Sequence, residues 1–198
     1  MLENNLTNTN DKKDDITYLI LGKSGSGKDT LVDILCDRFN YKRVISYTTR
    51  PKRNEQDKHI FINREDVQKY KEDIVAYTIF KNHQYFCTKQ QIEESNLYIV
   101  DWSGINYLKR KMPDNKFKVI YVDVPLFTRF IRMMKRGDGL FKAIGRLIND
   151  YHEFHYIKYD YKVNNVDLDT SVEQIRQYIE LEDAMNSGKI LKFNDKII

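Results

Sequence analysis

The stretch Gly22-Lys23-Ser24-Gly25-Ser26-Gly27-Lys28-Asp29-Thr30 constrains the fold more than any other part of the chain. It follows directly on the apolar run Ile16-Thr17-Tyr18-Leu19-Ile20-Leu21 and leads into the amphipathic Leu31-Val32-Asp33-Ile34-Leu35-Cys36. A buried strand, a glycine-rich turn and a helix start are the context that a phosphate-binding P-loop requires. The glycines let the backbone wrap closely round an anion. Their N–H groups, with the N-terminal end of the following helix, form the expected cradle. Lys28 reaches the β- and γ-phosphates as a point charge. The usual pattern places Ser or Thr after the lysine, but here Asp29 stands there, with Thr30 next. A carboxylate is a hard oxygen ligand for magnesium, directly or through water, so Asp29 is the candidate metal ligand.

The rest of the chain supports this frame. Short apolar segments at 17–21, 43–47, 97–101, 119–124 and 161–164 read as strands. Helical periodicity covers 29–39, 104–111, 126–135, 141–156 and 172–185. Such alternation predicts an α/β domain with a parallel sheet flanked by helices. Residues 48–90 break the rhythm. Strand pieces at 59–62, 74–80 and 83–87, with a small helix near 65–71, predict an inserted antiparallel α+β lobe. A second break surrounds Gly137 and Gly139, and 136–146 reads as a short lid. The expected organisation is one domain over 16–186, with a core of 16–47 and 91–186 and the lobe at about 48–90. A polar arm at 1–15, read as disordered, and a tail at 187–198 flank it.

With 198 residues, one substantial domain is expected. A net charge of +4 suits an anionic small molecule and does not by itself argue for nucleic acid. The two cysteines, Cys36 and Cys87, have no metal or redox spacing, which favours a reducing, cytoplasmic setting. The arm lacks the apolar core of a secretory signal, and no run approaches a membrane span.

Two arginine groups stand out. Arg50 and Arg53 lie three apart, with Pro51 between them to prevent a regular helix. Their guanidinium forks suit a phosphate, with Ser46 and the Tyr85 hydroxyl as neutral donors; a solvated basic loop is the competing reading. Arg132 and Arg136 share a helix face at a spacing where like charges repel unless an anion lies between them. Arg146 follows beyond the glycine break. Together they suit a cluster that neutralises a moving phosphoryl group and excludes water from it. Asp101 ends an apolar run, where ligands bind in open α/β sheets, and suits either a base edge or a metal-bound water. The four histidines form no triad or metal spacing.

In this order, the blocks resemble the guanylate kinases over about residues 16–180. The resemblance rests on Gly22 to Thr30, on Ser46-Tyr47-Thr48-Thr49-Arg50 with Arg53, and on Tyr85-Phe86-Cys87-Thr88. It continues through Asp101-Trp102-Ser103-Gly104, the lid arginines Arg132, Arg136 and Arg146, and Tyr159-Asp160-Tyr161 with Asn165. It implies a P-loop core, a nucleoside-monophosphate lobe and a lid. It implies transfer of the γ-phosphoryl of ATP to a nucleoside monophosphate, by default GMP or dGMP, with Mg2+. By that resemblance Gly22, Ser24, Gly25, Ser26, Gly27, Lys28, Asp29 and Thr30 bind ATP. Ser46, Arg50, Arg53 and Tyr85 hold the acceptor's phosphate, Cys87 and Asp101 face the base, and Arg132, Arg136 and Arg146 clamp the phosphates.

Three positions depart from the family's pattern. Its guanine-reading glutamate falls on Ala76, its base-reading hydroxyl on Cys87, and its second phosphate-holding tyrosine near His59. Guanine's N1–H and N2 amine need acceptors; Ala76 has none and a thiol is a weak one. This opens the alternative of another or modified nucleotide, or a ribose bisphosphate, as acceptor. A non-catalytic binding module of the same fold is a third reading, opposed by Lys28 and both arginine groups. Nucleotides are the expected partners, without nucleic acid or membrane, in a monomer or homodimer.

Overall fold

The computed structural model describes residues 15–53, 55 and 57–189. The arm at 1–14 and the tail beyond 189 lie outside them. The core sheet is fully parallel, in the order β6 (Leu97–Ile99), β1 (Thr17–Gly22), β7 (Phe117–Asp123), β8 (Tyr161–Asn164). Every residue of β1 is buried, as expected of a strand covered on both faces. Its side chains alternate between two cores. Leu19 and Leu21 join Val119 and Tyr121 against Ile105 and Leu108 of α3 (Trp102–Lys111). Tyr18 and Ile20 pack on Leu31, Val32 and Leu35 of α1 (Lys28–Phe39) and on Val172, Ile175 and Ile179 of α6 (Leu168–Asn186). The period of two along the strand thus splits one apolar run between two helix layers.

A second sheet of order β3 (Ile60–Phe61), β2 (Tyr47–Thr48), β5 (His83–Thr88), β4 (Ile74–Phe80) builds the inserted lobe. Lys81 and Asn82, at φ 48° and 66°, turn β4 into β5. Two consecutive positive φ values give the twist that a tight hairpin needs. The lobe is mixed rather than antiparallel, because β2 and β3 pair parallel. The segment expected as a helix near 65–71 is a tighter 3-10 run, Glu65–Tyr70. A short helix that the periodicity missed, α2 (Lys89–Glu93), begins with a reciprocal capping box between Thr88 and Gln91.

The strand expected at 43–47 does not form. Arg43 makes one parallel bridge to Leu97, and Val44 N–H reaches the Leu97 carbonyl at 2.8 Å. The three-residue edge strand β6 offers little further length to pair with. The chain instead leaves the core sheet and enters the second one at Tyr47, opposite Phe86. The segment read as a lid, 136–146, divides into a turn at 136–139 and the beginning of a helix. The turn joins α4 (Leu126–Lys135) to α5 (Leu140–Glu153), with Gly137 at φ 84° and Gly139 at φ 76°. Among the described residues no helix is long and apolar enough to cross a membrane.

Candidate active site

The phosphate loop spans from the end of β1 to the start of α1. Gly27 caps that helix in the left-handed region, and no side chain caps it. The first-turn N–H groups therefore face the cleft without an intramolecular acceptor, which is the arrangement an anion fills. The loop is packed tightly from below. A Cβ on Gly25 would lie 2.7 Å from the Arg129 carbonyl oxygen, and one on Gly27 would lie 2.7 Å from Asn165 Nδ2.

Four side chains hold the loop's backbone. Asp150 accepts from the Ser24 N–H at 3.0 Å and from the Ser24 hydroxyl at 3.2 Å. Arg129 donates to Asp150 at 2.7 Å and to the Ser24 carbonyl at 3.3 Å. Arg129 and Asp150 are both buried, so an ion pair between α4 and α5 fixes the tip of the loop. Asn165 donates to the Ser26 carbonyl at 2.7 Å. Arg132 reaches the same carbonyl at 3.4 Å and the Asn165 carbonyl at 2.9 Å. Arg132 thus lies under the loop and supports its backbone, rather than lining the open cleft with the other two lid arginines. The Ser26 hydroxyl is buried without a partner.

Two adjoining cavities open in front of the loop and share Ser46 and His59. The first, of about 270 Å³, brings Gly22, Ser24 and Lys28 opposite Ser46 and Tyr85, with Asp101 and Glu153 between them. The second, of about 750 Å³, brings Asp29 and Thr30 opposite Arg50, Arg53, Arg136 and Arg146. Lys28 thus lines the first cavity, and Arg50, Arg53, Arg136 and Arg146 line the second beside it.

The cations there are held in different ways. Arg50 is buried and grips Asp57 through both oxygens, at 2.5 and 2.8 Å. His59 Nδ1 lies 2.9 Å from the same carboxylate. Burial alone would raise Asp57, but the hydrogen bonds from Arg50 and His59 hold it well below the usual carboxylate range. Burial lowers His59, and Asp57 offsets part of that shift. Arg53 lines the second cavity, its backbone N–H directed at Asp57. Arg136 pairs with Asp138 at 2.5 Å. Arg146 is mostly buried, 3.6 Å from the same aspartate, and its Nε lacks a hydrogen-bond partner. Burial lowers Arg146, Asp138 offsets this, and the neighbouring Arg136 and Arg53 lower it further. Two guanidinium groups, Arg136 and Arg146, share the Asp138 carboxylate, which leaves an excess of positive charge at the cavity they line.

Asp101 lines the first cavity while capping α3, accepting from Gly104 N–H at 2.7 Å. Glu153 lies beside it; burial and the nearby Asp101 and Asp150 raise its pKa. Cys87 does not reach the cleft. It is paired across the hairpin with Ala76, and both are fully buried against Tyr98 and Val100. Burial pushes the Cys87 thiol up to about 12, which fits a core packing residue. Tyr98 lines the first cavity above them.

Asp29 stands in the first turn of α1 with its side chain largely exposed, 3.8 Å from Arg43. No group of three or more His, Cys, Asp or Glu suited to a metal occurs among the described residues. Asp29 is the one carboxylate in that turn that a hydrated magnesium ion would use.

Sequence reasoning missed Asp57, Asp138, Arg129, Asp150 and Glu153. Asp138 lies between the two paired glycines, and Asp150 lies one helical turn beyond Arg146 on the same face. Those spacings were the available signals. Asp57 carried none, because its pairing with Arg50 depends on a loop path.

A family model described as guanylate kinase matches residues 14–182. A guanylate kinase from Caldanaerobacter subterraneus subsp. tengcongensis is 31% identical over 186 residues, covering 86% of this chain and 89% of that protein. One from Hahella chejuensis is 29% identical over 196 residues, covering 91% and 93%. The crystal structure of guanylate kinase from Anaplasma phagocytophilum has the same fold, with a TM-score of 0.60 at 19% identity, covering 86% of this chain and 88% of that one. With the family model matching most of its length, this chain belongs to the guanylate kinase family.

Proposed function

We propose that this protein transfers the γ-phosphoryl group of ATP to a nucleoside monophosphate, with GMP or dGMP as the acceptor. The observation that carries this reading is the pair of adjoining cavities, one lined by Lys28 of the phosphate loop and the other by the uncapped start of α1 with Arg50, Arg53, Arg136 and Arg146. Two anionic reactants meeting end to end need positive charge from both sides. Phosphoryl transfer is accelerated mainly by such positioning and charge neutralisation. Gly22 to Thr30 hold the donor's phosphates, with Lys28 as the point charge. Ser46, Arg53 and Tyr85 receive the acceptor's phosphate, and Asp57 keeps the Arg50 fork aimed at it. Arg136 and Arg146 neutralise the group in flight, and Arg132 keeps the loop in shape. Asp29 would offer an oxygen donor to a magnesium ion bound with the nucleotide, which would supply Lewis-acid neutralisation of phosphate charge.

Guanine's N1–H and N2 amine need acceptors, and the cavity offers Asp101 and Glu153 for them. A second reading keeps the chemistry and changes the base. The buried pair Ala76 and Cys87, roofed by Tyr98, presents no carboxylate at the wall where the family's pattern has one. ADP release measured over a panel of ribo- and deoxynucleoside monophosphates separates the readings. Fastest turnover with GMP or dGMP is expected; a different preferred base supports the second reading, and no turnover with any acceptor rejects both. Lys28→Ala is expected to lower kcat/KM by about 10²–10³-fold or more. A near-normal rate in that variant contradicts its role.

A further inference from the structure

The helices α4 and α5 turn an apolar face outward. On α4 the exposed residues Phe127, Ile131 and Met134 follow one another at spacings of four and three. On α5 Phe141, Ile144, Ile148 and Tyr151 do the same at three, four and three. These spacings place each set on one side of its helix. The turn at 136–139 joins the two helices, which pack on one another and bring the two stripes to one surface. The inward side is the unusual one, because its buried residues include the Arg129–Asp150 ion pair. Phe141 is 90% exposed, Phe127 70% and Tyr151 68%.

From these exposures the patch amounts to roughly 1,000 Å² of accessible surface, against about 800 Å² per partner in a stable interface and a few hundred for an ordinary apolar patch on a monomer. The shape of α5 adds an independent indication. Gly145 lies in the middle of the helix, one turn after Phe141, and a Cβ there would meet nothing within 4 Å. Glycine in a helix interior costs about 1 kcal/mol relative to alanine, and no contact among the described residues explains it. A protruding phenyl ring and a recess side by side on one face are what a twofold contact needs, since each copy must offer both knob and hole.

We propose that this face is a homodimer interface, in which a second copy of the chain covers α4 and α5, each Phe141 seating beside the Gly145 of the partner. Arg132 and Arg146 lie on these two helices and Arg136 in the turn between them, so the dimer would fix the orientation of the groups around the phosphate loop. The proposal stands apart from the catalytic reading.

Molar mass of the full chain by light scattering during gel filtration, across micromolar concentrations, tests it. The expected mass is twice the 23.7 kDa of one chain. Phe141→Glu with Ile148→Glu is expected to give the single-chain mass with an unchanged helical spectrum. Ile79→Glu, at an exposed apolar residue of β4, should leave the dimer intact. A wild-type protein that stays monomeric overturns the proposal, as does a dimer that survives the double substitution. Wild-type monomer that sediments with anionic phospholipid vesicles also overturns it, by assigning the face to a membrane surface. Should the double variant lose its helical spectrum, an equimolar mixture of Phe141→Cys and Gly145→Cys chains decides: a disulfide joining one of each on oxidation supports the interface, and its absence rejects it.

Discussion

Arg50 lines the second cavity with its charge already paired, bidentate on Asp57 and close to His59. Such a pair is held by geometry as much as by charge, and both partners are buried. Removing one side leaves the other uncompensated, typically at a cost of about 3–5 kcal/mol. Asp57→Asn keeps the shape and one acceptor oxygen, so its effect should lie at the lower end, about 3 kcal/mol in urea unfolding. The Arg50 fork would also lose its fixed direction. For the proposed reaction this predicts an acceptor KM raised by about tenfold with the ATP KM little changed, a ratio worth about 1.4 kcal/mol. Equal increases in both KM values would show that Asp57 acts through the whole fold instead. The arginine pair was legible from the sequence, because its residue types and spacing suit a phosphate. Its carboxylate partner was not, because the two meet only through the path of the 50–57 loop.

At the scale of elements, the P-loop is held in a frame made by α4, α5 and the end of β8. Asp150 satisfies the Ser24 N–H and Arg129 satisfies the Ser24 carbonyl, while each neutralises the other. Arg129→Leu strands a buried carboxylate and is expected to cost about 3–5 kcal/mol by urea or thermal unfolding. The double change Arg129→Leu with Asp150→Leu removes both charges and should cost clearly less than the sum of the single changes. Additive costs would show that the two side chains do not act as a unit. The sequence read α4 at its observed bounds, because its apolar residues keep a strict helical period. It misread 43–47, where apolar residues suggested a strand but the edge of the core sheet supplied only one bridge.

For the whole molecule, several carboxylates are held in the ionised form by the fold. Asp57 is depressed despite burial by Arg50 and His59, Asp123 by Lys162, and Asp138 by Arg136 and Arg146. A carboxylate with a lower pKa folded than unfolded binds fewer protons in the folded state. Its contribution is complete above the ordinary value of 3.8 and is lost as pH falls through that value towards the folded one. Glu153, raised by burial and by Asp101, acts in the opposite sense. With these three and Asp66, Asp167 and Glu173 depressed against one raised group, the urea midpoint should fall steadily between about pH 5 and pH 3. A midpoint independent of pH over that interval would contradict these assignments.

The order of apolar runs, glycine turns and amphipathic segments was enough to determine a P-loop α/β core with an inserted lobe. Those features are local, set by backbone sterics and by the periods of strand and helix. Lys28 followed too, because its place is fixed by the loop that contains it. Which charges meet was decided only by the tertiary structure. It placed Asp57 on Arg50, Asp150 on the loop and Arg132 beneath it, and it buried Cys87 away from the cleft. Those outcomes depend on distances between residues far apart in the chain, and electrostatic and packing energies follow distance in space rather than separation in sequence.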